Sequence, residues 1–223
     1  MKPSTNFGVI FDMDGVLVDS ARPHFRSWQL LGEENGTTIT EAQFADTFGR
    51  HNNDIIPRLF GDVPQARLRS LADRKEELYR GIVRENPPIV EGATELISRL
   101  HQTGYRLAVG SSGPIENIRL ILSALAPTDI FHAIISGDDV TRGKPDPQVF
   151  SMACAQLGLA PSRCVVIEDA PVGIQAAIAA GTASIGVGLY HTLTALRNAD
   201  CAVEKLADVS VDTIVSLVNG PAQ

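Results

Sequence analysis

Cysteine is scarce in this chain: only Cys154, Cys164 and Cys201 occur in 223 residues, none in a Cys-X-X-Cys pair. The odd count and wide spacing exclude a disulfide framework and a zinc knuckle, so all three are expected as reduced core residues. Positive charge is also in short supply, with 19 Lys and Arg against 26 Asp and Glu and a formal net charge of -7. A nucleic-acid partner would need a concentrated basic face. The densest basic stretch, residues 67–84, is interleaved with acids and reads as a solvated helix face. No apolar run is long enough to span a membrane, and residues 1–6 carry no signal-like apolar region. Internal repeats and low-complexity segments are absent as well. The expectation is a soluble, cytoplasmic, monomeric protein with neither nucleic acid nor membrane as partner.

What is present is an ordinary globular composition, 44% hydrophobic and 20% charged, sufficient for a sizeable core or for a core with a smaller inserted domain. After an apolar strand near residues 7–11, residues 21–86 read as four amphipathic helices without a convincing strand. Their apolar positions are Phe25, Trp28, Leu30 and Leu31, then Phe44 and Phe48, then Ile55, Ile56, Leu59 and Phe60, and finally Leu68, Leu71, Leu78, Ile82 and Val83. Asn86-Pro87-Pro88 closes the block as a rigid breaker. From there helices alternate with short apolar strands at Tyr105–Gly110, Ala133–Ile135, Cys164–Ile167 and Ala183–Val187, with further elements near residues 201–203 and 211–218. Such alternation predicts a doubly wound parallel α/β sheet covered on both faces. The expected domains are an α/β core from 1–19 and 89–223 and a helical insertion from 20–88. An insertion after the first strand falls at the carboxyl ends of the strands, where open α/β sheets bind ligands.

The segment Phe7-Gly8-Val9-Ile10-Phe11-Asp12-Met13-Asp14-Gly15 puts two carboxylates at the end of a buried strand. Burial of isolated charge is unfavourable, so the pair calls for a compensating cation, solvent access, or both. Gly15 supplies freedom for a turn that lets Asp12 and Asp14 converge. An ordinary Asx turn fits the same residues. Three more strand ends carry polar groups: Ser111 after Val109-Gly110, Lys144 in Gly143-Lys144-Pro145-Asp146-Pro147, and Glu168-Asp169 after Val165-Val166-Ile167. Taken singly these read as a helix cap, a solvated lysine and a turn.

In this order, and with an inserted helical block, the four features resemble the haloacid dehalogenase-like superfamily of phosphotransferases over nearly the whole chain. Residues 168–177 with Ala180-Gly181 are close to its fourth motif and residues 143–147 to its third. The resemblance implies that Asp12 is a nucleophile forming an aspartyl-phosphate and that Asp14 protonates the leaving alkoxide and then activates water. It further implies Mg2+ held by the Asp12 carboxylate, the Asp14 main-chain carbonyl and Asp169, with Glu168 binding through water or orienting the others. Lys144 is then the fixed positive charge, and Ser111 donates to a phosphoryl oxygen. Main-chain N–H groups of Met13, Asp14 and Ser112, beside Gly113, complete an anion cradle. The dehalogenating members lack a carboxylate at the position of Asp14 and the transport ATPases have threonine there, so Asp14 points to phosphate-ester turnover. The resemblance also suggests a cis Lys144-Pro145 bond.

The inserted block is similar to the small helical cap of the β-phosphoglucomutase and sugar-phosphatase branch, with His24, Trp28, Gly49 and Lys75 at matching positions. Trp28 is expected to serve packing. Arg50, His51, Asn52 and Lys75 are candidates for reading a small phosphorylated metabolite, Arg50 and Lys75 suiting an anionic or hydroxylated end. Where the mutase pattern has an arginine three residues after the cap glycine this chain has Asn52, and where it has a serine and a lysine after the second motif this chain has Gly113 and Pro114. Two losses at the distal phosphate clamp favour a phosphatase over a mutase. A non-catalytic phosphate-binding module is the third reading, opposed by the presence of both Asp12 and Asp14.

Overall fold

The computed structural model describes residues 6–47, 51–125 and 127–219. Six strands form one sheet: β1 (Gly8–Phe11), β2 (Arg106–Gly110), β3 (Phe131–Ile135), β4 (Cys164–Glu168), β5 (Ala183–Val187) and β6 (Cys201–Val203). Their order is β3-β2-β1-β4-β5-β6, every pair parallel. The doubly wound sheet expected from the alternating pattern is therefore present. Nine helices accompany it among the described residues: α1 (Ala21–Glu34), α2 (Glu41–Thr47), α3 (Asn52–Phe60), α4 (Gln65–Val83), α5 (Ala93–Gln102), α6 (Ile115–Leu125), α7 (Gln148–Leu157), α8 (Pro171–Ala180) and α9 (Val211–Asn219). None is long and apolar enough to cross a membrane.

The chain divides into two compact units, Met1–Asp19 with Ile89–Gln223, and Ser20–Pro88. In the α/β unit, β1 is wholly buried between β2 and β4, with Ile10 in register with Ala108 and Val166. These three pack with Phe150 and Leu157 of α7 and with Ala176 and Ala177 of α8 on one face of the sheet. The strand period turns Val9 and Phe11 to the other face. Winding reverses at β1, because β2 and β3 lie on one side of it and β4, β5 and β6 on the other. The carboxyl end of β1 is thus the switch point of the sheet, where the flanking connections diverge and leave a crevice.

The second unit is held by its own core. Trp28, Leu31, Ile39, Phe44, Ile55, Ile56, Leu59, Leu68 and Leu71 are buried together, and α4 packs along α1 and α3. Each such side chain contributes roughly 1.5–3 kcal/mol by leaving water. Trp28 is a packing residue here, as expected. The stretch read as a solvated basic face is solvated only in part: Arg74 pairs with Glu34 and Glu77 at the surface, but Lys75 is buried. Cys154 and Cys164 are buried thiols, whereas Cys201, on the edge strand β6, is only half-buried. An edge strand lacks a neighbour on one side, so its residues keep some exposure.

Candidate active site

Asp12 immediately follows β1, and its N–H still donates to the Ile167 carbonyl of β4 at 2.9 Å, so the sheet itself fixes its backbone. The chain then turns sharply: Gly15 adopts φ +79°, its N–H donates to the Val18 carbonyl, and the Val18 N–H returns to the Met13 carbonyl. A side chain at Gly15 would be strained by that φ and would sit 2.2 Å from Asp169 Oδ2. The absence of a Cβ lets the Asp169 carboxylate lie directly on the turn.

Lys144, on the loop after β3, reaches between two of these acids. Its Nζ donates to Asp12 Oδ1 and to Glu168 Oε1, both at 2.6 Å, while its charge lies over the Phe150 ring. The second oxygen of Glu168 accepts the Ala170 N–H at 2.7 Å. The α8 backbone leaves room for this carboxylate only because residue 173 is glycine, since a Cβ there would fall 1.8 Å from Glu168 Oε1. Ligand oxygens of Asp12, Glu168 and Asp169 come within 4.8 Å of one another. The Lys144-Pro145 peptide is cis.

Three buried carboxylates thus face one buried ammonium. Burial pushes the Asp12 carboxyl up to about 7, with Lys144 opposing and Glu168 and Asp14 adding to the rise. Burial and the neighbouring Glu168 and Asp12 charges raise Asp169 well above the carboxylate range. Lys144 is held protonated: its burial favours loss of the proton, and Asp12 and Glu168 outweigh that. A hard divalent cation fits this donor set, because every candidate ligand is oxygen and the negative charge is undercompensated.

The imbalance has a measurable consequence. A carboxyl whose folded pKa is raised from 3.8 to about 7 binds its proton more tightly in the folded state, so stability falls as pH rises through that window. In EDTA, raising the pH from 5.5 to 8 should cost about 2 kcal/mol of stability, or roughly 4–8 °C in melting temperature. Added Mg2+ should restore most of the loss at pH 8. A melting temperature in EDTA that rises across this interval would contradict the charge balance described.

The remaining anion-facing candidates lie beside the carboxylates of the same unit. Ser111 is buried after β2, and its Oγ accepts the Gly113 N–H at 3.0 Å. A Cβ at Gly113 would stand 3.4 Å from that oxygen and 4.0 Å from Asp14 Oδ2, which places Ser111, Gly113 and Asp14 around one small space. Ser112 is exposed. The loop is pinned from behind by groups that sequence reasoning passed over: Asp138 accepts the Ile115 N–H, Gly137 donates to the Gly113 carbonyl, and Ser136 and Asp139 cap each other. A small-polar-acidic run Ser136-Gly137-Asp138-Asp139 after an apolar strand was the available signal.

Among the residues expected to read substrate, Gly49 and Arg50 lie outside the described residues. His51 is exposed at the start of α3 with no side-chain hydrogen bond to the helix it precedes. Within the inserted unit, Lys75 Nζ lies 2.8 Å from His24 Nδ1 and 2.8 Å from Glu76 Oε1, and Asn52 donates to the same Glu76 oxygen at 2.7 Å. Glu76 did not stand out in the sequence, because a carboxylate adjacent to a lysine on a helix ordinarily points elsewhere. Lys75, expected to suit an anionic or hydroxylated end, thus has a half-buried carboxylate partner within its own unit.

The sequence model described as haloacid dehalogenase-like hydrolase matches residues 8–181. Validoxylamine A 7'-phosphate phosphatase of Streptomyces hygroscopicus subsp. limoneus is 32% identical over 203 residues, covering 90% of this chain and 94% of its own. β-Phosphoglucomutase of Bacillus subtilis is 30% identical over 214 residues, with 92% of each chain covered. The crystal structure of a HAD hydrolase, family IA, variant 3, from Entamoeba histolytica is similar with a TM-score of 0.85 at 25% identity, covering 96% of this chain and all of that one (100%).

Proposed function

The chain belongs to the haloacid dehalogenase-like hydrolase family, and from that premise we propose that it is a phosphatase acting on small sugar or polyol phosphomonoesters through an aspartyl-phosphate. The observation that carries this reading is the bridge from Lys144 to Asp12 and Glu168 at the switch point of the sheet. A nucleophilic carboxylate approaching a phosphate dianion meets repulsion, and a fixed ammonium at 2.6 Å offsets it without reorganising.

In the proposed sequence a carboxylate oxygen of Asp12 bonds to phosphorus as the ester P–O bond breaks, and the departing alkoxide takes its proton from Asp14. Asp14 then removes a proton from water, whose oxygen displaces Asp12 from phosphorus and releases inorganic phosphate. Ser111 and the N–H groups of Met13, Asp14 and Ser112 bind the phosphoryl oxygens, and Lys144 holds Asp12 in line with phosphorus. Mg2+ bound by Asp12, Asp169 and the Asp14 carbonyl, with Glu168 behind them, would supply the charge that keeps the carboxylates ionised at neutral pH. The helical unit is assigned the selection of the rest of the substrate through His24, Asn52 and Lys75, together with Gly49, Arg50 and His51.

Phosphate release should be measured across hexose, hexitol and pentose phosphates, phosphoglycolate and nucleotides, with Mg2+ and with EDTA. Mg2+-dependent release from sugar or polyol phosphates is the expected result. Conversion of β-glucose 1-phosphate to glucose 6-phosphate with a bisphosphate primer, and negligible phosphate release, would overturn it in favour of a mutase.

A further inference from the structure

Within the α/β unit, the segment 111–114 between β2 and α6 rests on the turn 136–139 that follows β3. Three backbone donors join them. The Ser111 N–H donates to the Ile135 carbonyl at 3.0 Å, the Gly137 N–H to the Gly113 carbonyl at 2.8 Å, and the Ile115 N–H to Asp138 Oδ2 at 2.9 Å. A Cβ at Gly137 would fall 2.2 Å from the Ser112 carbonyl oxygen, so the two backbones touch directly. The turn is itself braced, because Asp139 Oδ2 accepts both the N–H and the hydroxyl of Ser136, at 2.8 and 2.6 Å.

The braced segment holds a donor prepared for an incoming oxygen. Ser111 is 1% exposed, its Oγ accepts the Gly113 N–H at 3.0 Å, and its hydroxyl proton meets no acceptor among the described residues. A buried hydroxyl left in that state carries its desolvation penalty until an acceptor arrives. Asp138, by contrast, is exposed. Its carboxylate caps the first N–H of α6, where the helix dipole and the unsatisfied donors favour an anion. Water replaces an exposed acceptor at small cost in stability. What water does not supply is a fixed attachment for the chain where residues 111–114 enter the helix.

We infer that Asp138 is a positioning residue: by capping α6 from the neighbouring connection it holds residues 111–113 in the conformation that grips a phosphoryl group. This rests on the phosphatase reading above. Asp138 acts through that segment, so its removal costs phosphate affinity and turnover together while leaving the fold in place.

Calorimetric titration of inorganic phosphate in the presence of Mg2+ should be combined with kcat/KM on the best ester of the panel above, for the native protein, Asp138→Ala, Asp138→Asn and Ile115→Pro. Ile115→Pro deletes the same hydrogen bond from the donor side, at the first position of a helix, which favours proline. It keeps the test decisive if Asp138→Ala does not fold. Asp138→Ala and Ile115→Pro should each weaken phosphate binding and lower kcat/KM by about tenfold, with melting temperatures within about 4 °C of native. Asp138→Asn, whose amide oxygen still accepts the Ile115 N–H, should stay within about threefold of native. Charge repulsion alone predicts the opposite sign, since loss of a carboxylate would tighten phosphate binding in both Asp138 variants. Native or tighter phosphate binding by folded Asp138→Ala or Ile115→Pro would overturn the inference and reduce Asp138 to a helix cap. A native protein that binds phosphate but releases none from any ester would overturn the phosphatase reading and leave the binding comparison to judge Asp138. A native protein that binds no phosphate would overturn both.

Discussion

Asp12→Asn should lower phosphate release by about 10⁴-fold or more while the protein stays folded, because the amide retains the shape of the carboxylate but cannot form the covalent intermediate. The structure makes a further demand on stability. Asp12 is buried and its carboxyl is pushed up to about 7, so its ionised form is disfavoured where it stands. Lys144 keeps Glu168 as a 2.6 Å partner in the variant. The melting temperature in EDTA at pH 8 should therefore equal or exceed that of the native protein. Turnover within tenfold of native would remove Asp12 as nucleophile, and a large fall in melting temperature would remove the argument that its charge is undercompensated.

Lys144→Met should act in the opposite sense. It removes the one ammonium shared by Asp12 and Glu168 in a buried site. Breaking a buried ion pair by deleting one partner costs about 3–5 kcal/mol, or roughly 10 °C in melting temperature for a chain of this size. The loss should be larger at pH 8 than at pH 5.5, where protonation relieves the exposed repulsion among the carboxylates. Phosphate release should fall about 10²–10³-fold from loss of the fixed charge beside the nucleophile. Thermal unfolding at both pH values, followed by activity on the same samples, separates the two effects. A variant as stable as the native protein at pH 8 would mean that the carboxylates find compensation elsewhere.

Much of the fold was legible from residue pattern. The run Gly8–Phe11 is apolar on both faces, which only a central strand of a covered sheet requires, and the abrupt change to Asp12 and Asp14 marks its end. Helix α6 and strands β5 and β6 fall where the apolar pattern places them, because the spacing of apolar residues is a local property of the chain. Local pattern also marked the acids, the lysine and the serine at strand ends, each one a polar residue where an apolar run stops.

Partnership between distant residues was decided only by the folded chain. Lys144 lies 132 residues from Asp12 in sequence, and their 2.6 Å hydrogen bond exists because β3, which the Lys144 loop follows, stands one strand removed from β1, across β2, in the order of the sheet, which no local periodicity encodes. Gly173 looks like an ordinary helix residue until the Glu168 carboxylate is seen to occupy the space its Cβ would fill. Glu76 is the same lesson in the helical unit: the sequence by itself determined a charged amphipathic helix, but only packing of α4 against α1 and α3 turned one lysine and one glutamate inward and joined them to His24 and Asn52. The physical reason is common to all three. Side-chain periodicity follows from backbone geometry within one element, whereas charge compensation and steric complementarity depend on which elements meet, and that is settled by tertiary packing.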